Sequence, residues 1–207
     1  MKASQYAVIS GDLVGSSRYE STQYESMLGT LEQGLSTLCE RFDGQFDMFR
    51  GDAFQCIFKA QTFPLQSSLL LRLLLRSHGI DARISEAWGD VSQFRGDVKT
   101  ATGPALILSG KGLDEMKQQR FRLSLCEQTL SPSFMLNVQF LDNIVSSLSQ
   151  KQAQALYLYC WQEHNDHASI AQQLQSSREN VTKLLNAGRY HLVDGFIAVA
   201  TKEFSHG

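Results

Sequence analysis

Several familiar signatures are missing from this chain, and each absence narrows what it can be. Its four cysteines, Cys39, Cys56, Cys126 and Cys160, show no CxxC spacing and read as reduced packing residues, not disulfides or zinc ligands. Histidines number only five. His164 and His167 flank an acidic turn but have no further Cys or His at metal-ligand spacing, and His78 reads as a helix-terminal cation. The richest apolar run, Leu69 to Leu75, is interrupted by Arg72 and followed by Arg76. The opening residues MKASQY lack an apolar signal segment, so neither secretion nor membrane spanning is expected, and the chain reads as cytoplasmic. A net charge of −2 over 207 residues supplies no global attraction to nucleic acid or lipid. Repeats and low-complexity segments are absent. What remains, 43% hydrophobic and 19% charged, is an ordinary globular composition, long enough for one large domain or two modest ones.

The most informative stretch is Phe46 to Phe58, FDMFRGDAFQCIF, where apolar and polar residues alternate on both sides of Arg50-Gly51-Asp52-Ala53. This predicts a β-hairpin, with Gly51 supplying the positive φ of its turn and Asp52 at the tip. A buried strand, Tyr6 to Ser10, runs into Gly11-Asp12-Leu-Val-Gly15-Ser16-Ser17. If the strands are neighbours, Asp12 and Asp52 converge beside a Gly/Ser turn. Two carboxylates with such a turn suit Mg²⁺ and a phosphate-bearing nucleotide. The same residues also fit plain turn chemistry, with Ser16 and Ser17 capping the next helix. Arg50 reads either as a phosphate-neutralising cation or as a solvated strand-end charge.

Heptad-like spacing of Tyr24, Met27, Leu28, Leu31, Leu35, Leu38 and Phe42 predicts a helix over 20–42. A second helix is expected from Phe63-Pro64 through His78, stopped by Gly79, and a strand over Ile80 to Val91. Pro104 opens a third helix to about Gln119, and Phe121 to Leu125 forms the last strand. The order is the β-α-β-β-α-β ferredoxin-like plan with additions, an α+β unit over residues 1–130. Ser131-Pro132-Ser133 breaks the pattern. Everything in 131–207 reads helical, beginning with a helix from Phe134 to Leu148.

The segments Ile9-Ser-Gly-Asp12-Leu-Val-Gly15-Ser16, Phe49-Arg-Gly-Asp52-Ala-Phe54 and Gly103-Pro104 resemble the three signature regions of class III nucleotide cyclases, over roughly residues 5 to 125. The resemblance implies Asp12 and Asp52 as metal ligands and Gly15, Ser16 and Ser17 as the phosphate-holding turn. It also exposes departures. Met48 stands at the base-reading lysine, while Ile107 and Lys111 stand at the asparagine and arginine that stabilise the transition state. Ile107 donates no hydrogen bond, and Lys111 lacks the guanidinium fork that grips two phosphate oxygens. The whole chain resembles the SatD-like group of bacterial proteins, which implies this fold with an added helical part and no secured reaction.

Within the helical half, Leu148-Ser149, Gln152, Ile170-Ala171, Leu174, Ser177, Val181, Leu185 and Gly188-Arg189 are similar to the helix-turn-helix of sigma-70-type region 4, over about 148–193. A capping box of Ser176 and Glu179 is expected to start the recognition helix. On that resemblance Arg178, Asn180, Thr182 and Lys183 face the DNA major groove and Arg189 a phosphate. Five Lys/Arg against five Asp/Glu from Leu148 onward is a low charge for a DNA binder. The alternative is a protein-interaction module. The final helix, carried on through Tyr190, Val193, Phe196, Ile197, Val199 and Ala200, has apolar surface to spare, which fits dimer packing or docking onto the first domain, and a homodimer is expected.

The expectation is a DNA-binding transcriptional regulator whose cyclase-like domain senses a nucleotide or phosphate with Mg²⁺. The alternative is a divergent nucleotide cyclase or nucleotidyl-transfer enzyme with an accessory helical domain. A third reading is a scaffold that uses both units for protein contacts.

Overall fold

The computed structural model describes residues 5–49, 51–59, 64–94, 96–162 and 166–205. Arg50, Phe63, Glu163 and His164, which the sequence reading singled out, lie outside them. The first half runs β1 (Gln5–Leu13), α1 (Ser21–Phe42), β2 (Gly44–Phe49), β3 (Ala53–Lys59), α2 (Pro64–Ser77), β4 (Ala82–Asp90), α3 (Pro104–Glu115) and β5 (Phe121–Leu125). The five strands lie in the order β2-β3-β1-β4-β5, antiparallel throughout except for the parallel β4–β5 pair. The first four strands are thus ferredoxin-like, and β5 is an addition brought alongside β4 by α3.

Central β1 works because Gly11 has no side chain. A Cβ there would stand 2.3 Å from the Phe54 ring, so the ring crosses the strand at that point and seals one face. That face carries Ile9, Leu13, Phe54, Cys56, Phe58 and Ile84 and is covered by α1 and α2. The other is thinner, with Val8, Ile57, Val98 and Ala105 clustered beneath α3. All four cysteines are free thiols.

Helix α2 explains the leucine run. Leu69, Leu70, Leu71, Leu73 and Leu75 are all buried, more than one helix face can hold. A helix apolar nearly all round needs cover on both sides. The second cover is the helical half: α4 (Pro132–Ser147), α5 (Gln150–Trp161), α6 (His167–Gln173), α7 (Arg178–Ala187) and α8 (Tyr190–Ser205). Helix α5 packs along α2, and one apolar core runs from Ile9 to Ala200 across the change of character near residue 130. Among the described residues the helical half shares this core with the sheet. Among the described residues no helix is long and apolar enough to cross a membrane.

Three local expectations in this half are corrected. Helix α4 starts at Pro132 instead of Phe134, because Ser131 Oγ accepts from the Phe134 N–H at 3.2 Å and Pro132 occupies the first turn. The cap of α7 is Ser177, whose hydroxyl accepts from Asn180 N–H, since Gln175 at φ 48° carries the chain one residue further before it winds. The last helix is not continuous: Arg189 at φ 54° breaks it into α7 and α8.

Where the two halves meet, Arg72 of α2 is 2% exposed. Its guanidinium donates to Asp142 Oδ1 at 2.7 Å, Ser146 Oγ at 3.0 Å and Asp81 Oδ1 at 3.2 Å. Asp142 also accepts the Arg120 backbone N–H at 2.8 Å. Truncating Arg72 leaves buried Asp142 without its cation and Asp81 with only the more distant Arg76 and Arg120, so Arg72→Ala is expected to destabilise the protein by about 3–5 kcal/mol in urea unfolding. Adding Asp142→Asn is expected to recover part of that loss.

Glu86 of β4 is fully buried and accepts from Ser68 Oγ and Trp88 Nε1, each at 2.6 Å. Burial outweighs both hydrogen bonds and raises its carboxyl to about pKa 7. The unfolded chain releases this proton near pH 4.3. Between those values the folded state keeps a proton the unfolded state has lost, so stability falls as pH rises through that window and levels off above about 7. Glu86→Gln is expected to flatten the fall and exceed wild-type stability at about pH 8, by up to about 3 kcal/mol, in urea unfolding compared with about pH 5.

Candidate functional site

Antiparallel pairing places Gly11 opposite Phe54, so the end of β1 stands beside the β2–β3 turn. Asp12 and half-buried Asp52 therefore come to the same end of the sheet, as the hairpin pattern predicts. Gly51 takes φ 88°, and a Cβ there would meet the Tyr24 hydroxyl at 2.4 Å. On the other side, register sets Asp12 directly opposite Arg83 of β4. Arg83 grips the carboxylate as a fork, Nε to Oδ1 at 2.8 Å and Nη2 to Oδ2 at 2.5 Å, while Nη1 reaches the Met116 carbonyl at 3.4 Å. The pair is partly open to solvent, with the Arg83 side chain 32% and the Asp12 side chain 22% exposed.

The Asp12 hydrogen bonds are the main cause that raises the Arg83 pKa. Burial opposes them, and the negative charges of Asp12, Asp114 and Asp52 add to the rise. Acidic groups from β1, the hairpin and α3 are thus within electrostatic reach of Arg83 on β4. Sequence reading found Asp12 and Asp52 and missed Arg83 and Asp114. The signal for Arg83 was its place in the alternating set Asp81, Arg83, Ser85; knowing its partner required knowing that β1 pairs with β4.

Beyond Asp12, Gly15 takes φ 70° and leads into a 3-10 turn of Ser16–Arg18, with Ser16 half-buried and Ser17 exposed. Gly103 opens α3 at φ 139°, where a Cβ would stand 2.7 Å from the Asp90 carbonyl, so its glycine is required by close packing. Ile107 and Lys111, one turn apart, are both exposed on α3, Ile107 by 59%.

A Mg²⁺ held by Asp12 would have to share that carboxylate with Arg83. Mg²⁺ needs several oxygen ligands around it. Both oxygens of Asp12 are engaged by Arg83, and among the described residues no group of three His, Cys, Asp or Glu could hold a metal with protein ligands alone.

In the helical half, α5, α6 and α7 pack as a trihelical unit around Leu156, Ile170, Ala171, Val181 and Leu185. Asp166 caps α6, accepting from the Ala168 and Ser169 N–H groups, which hold its carboxyl below its ordinary range. Arg178, Asn180 and Lys183 are exposed on α7, and the Asn180 amide donates to Ser176 Oγ at 2.9 Å. Thr182 does not share their outlook: its hydroxyl is bonded to His167 Nδ1 at 2.8 Å, between α6 and α7. Arg189 is exposed at the α7–α8 corner, beside an apolar groove lined by Phe140 of α4 and Leu192, Phe196 and Val199 of α8.

No protein-family model matches the chain, so neither the SatD-like nor the sigma-70-type resemblance gains support from one, and comparison with the curated proteins finds no match. Solved structures do match. A bacterial light-regulated adenylyl cyclase is 13% identical, covering 57% of this chain and 74% of its own at a TM-score of 0.48. The adenylyl cyclase CyaB from P. aeruginosa is 17% identical, covering 55% and 73% at 0.44. An adenylate/guanylate cyclase/hydrolase from Silicibacter pomeroyi is 20% identical, covering 55% and 70% at 0.45. These likenesses concern the course of the chain over roughly half its length and say nothing of activity. They lend the DNA-binding expectation no support, and with TM-scores below 0.5 they are partial likenesses in the course of the chain.

Proposed function

We propose that this chain handles a nucleotide: the sheet end formed by β1, β3 and β4 binds a nucleoside polyphosphate, in the manner of a divergent cyclase-like domain. The observation that supports it is the delivery of Asp12, Asp52 and Arg83, distant in sequence, to one partly open sheet end beside the Gly15 turn. A cation perturbed by specific acidic partners in a partly open cleft is an arrangement associated with functional sites. Asp12 takes the Nε and Nη2 side of the Arg83 fork and fixes its orientation, and the guanidinium's remaining Nη N–H groups are the donors offered to phosphate. Lys111 on α3 is a second cation for the same ligand, and Gly15, Ser16 and Ser17 are its turn.

Cyclisation itself is disfavoured by the residues present. Ile107 offers no donor to a developing charge, and the loss of one aimed donor costs about 10²- to 10³-fold in rate. Binding without efficient cyclisation is the expected behaviour. Calorimetric titration with ATP and GTP is expected to show saturable binding that Arg83→Ala with Lys111→Ala weakens about tenfold or more. Affinity unchanged in that double variant removes the site. Cyclic product formed at cyclase-like rates would make the enzyme reading the correct one.

A second reading, DNA recognition by α7, is supported by one specific observation: Arg178, Asn180 and Lys183 are exposed while Val181 and Leu185 bury the opposite side. Such a helix can enter a major groove, and a homodimer would double its contacts. Thr182 is not available for this role, whereas Arg189 remains a candidate phosphate contact. Fluorescence anisotropy on duplex DNA across a salt series is expected to show affinity falling with salt and a slope lowered by about one for Lys183→Ala. No binding at low salt would leave the trihelical unit as a protein-contact module.

A further inference from the structure

The Arg83–Asp12 pair carries a consequence for metal binding. A carboxylate that meets an opposing guanidinium has both oxygens engaged: Nε and Nη2 take one oxygen each, and Nη1 is directed to the Met116 carbonyl. The geometry is set by strand register and does not depend on a long side chain finding a chance partner, because β1 and β4 hold positions 12 and 83 opposite one another. Asp52 and Asp114 also act on the same guanidinium. A divalent ion approaching Asp12 would meet a fixed positive charge within bonding distance of the ligand it needs, and like charges at such a separation repel by more than a tenfold affinity factor even at an effective dielectric of about 20.

We propose that Arg83 is the resident cation of this sheet end, standing on Asp12 where a divalent metal would otherwise bind, so that the wild-type site takes its anionic ligand without a metal held by Asp12. The ligand rests on the nucleotide reading above; the exclusion of metal does not.

Mn²⁺ alone, followed by electron paramagnetic resonance of the free ion, separates the two. Wild type and Asp12→Asn are expected to give the same isotherm. Arg83→Gln is expected to bind Mn²⁺ at least about tenfold more tightly than wild type, and Arg83→Gln with Asp12→Asn to lose that gain. Arg83→Lys, which keeps the charge and loses the fork, is expected to stay near wild type and guards against a folding defect in the glutamine variant. Wild-type Mn²⁺ binding that Asp12→Asn abolishes overturns the proposal, as does an Arg83→Gln protein, folded by its thermal transition, that gains no affinity. Failure of ATP and GTP to bind would count against the nucleotide reading and leave the Mn²⁺ result standing.

Discussion

A guanidinium buried among leucines must be given its counter-charges, and that requirement at Arg72 fixes how the two halves of this molecule sit. An unpaired charge in such a place is far too costly to persist. Its partners come from both sides, Asp81 at the entry to β4 and Asp142 with Ser146 on α4. Helix α4 is therefore held against α2, and α5 follows it onto the remaining leucine face. Arg76 adds a hydrogen bond from Nη2 to the Leu148 carbonyl at 2.6 Å, just before α5 begins.

Asp81 connects this joint to the proposed binding end. Its backbone carbonyl accepts the Val14 N–H at 2.8 Å, adjacent to the Gly15 turn, and its carboxylate accepts from Arg72. Two residues later Arg83 reaches Asp12. A ligand that draws on Arg83 thus acts on the first residues of β4, which also anchor the helical half. That is a contiguous set of packed and hydrogen-bonded groups of the kind through which binding at one place can bias another. It joins the sheet end to α4 without requiring any cyclase chemistry.

Much of the fold was legible in the sequence because its local signals agree with one another. The 3.6-residue spacing from Met27 to Phe42 gives α1 to within a residue, and the alternation around Gly51-Asp52 gives the hairpin. The meeting of Asp12 with Asp52 followed from two strand ends and a guess of adjacency that β1–β3 pairing meets. What local pattern could not supply was the partner across β4: Arg83 read as one polar residue in an alternating strand, and only sheet order gives it to Asp12. The leucines of α2 carried a clue that was underused, since a helix with no polar face implies a second layer. At α7 the motif placed Thr182 outward, but a neighbouring histidine, His167, turns its hydroxyl inward. The Ser176 cap was one residue early because nothing in the residues announces a non-glycine at positive φ.

The central claim is that Arg83 is the group that meets the ligand, and the arginine Nε–H resonances report it directly. The Arg83 Nε–H is hydrogen-bonded to Asp12 and the Arg72 Nε–H is buried without a partner among the described residues, so the two are expected to give distinct, resolved signals in a nitrogen-15 spectrum. Adding a nucleoside triphosphate in the presence of EDTA is predicted to move the Arg83 resonance and leave Arg72 in place. An Arg83 resonance that stays fixed at saturating nucleotide would contradict the account.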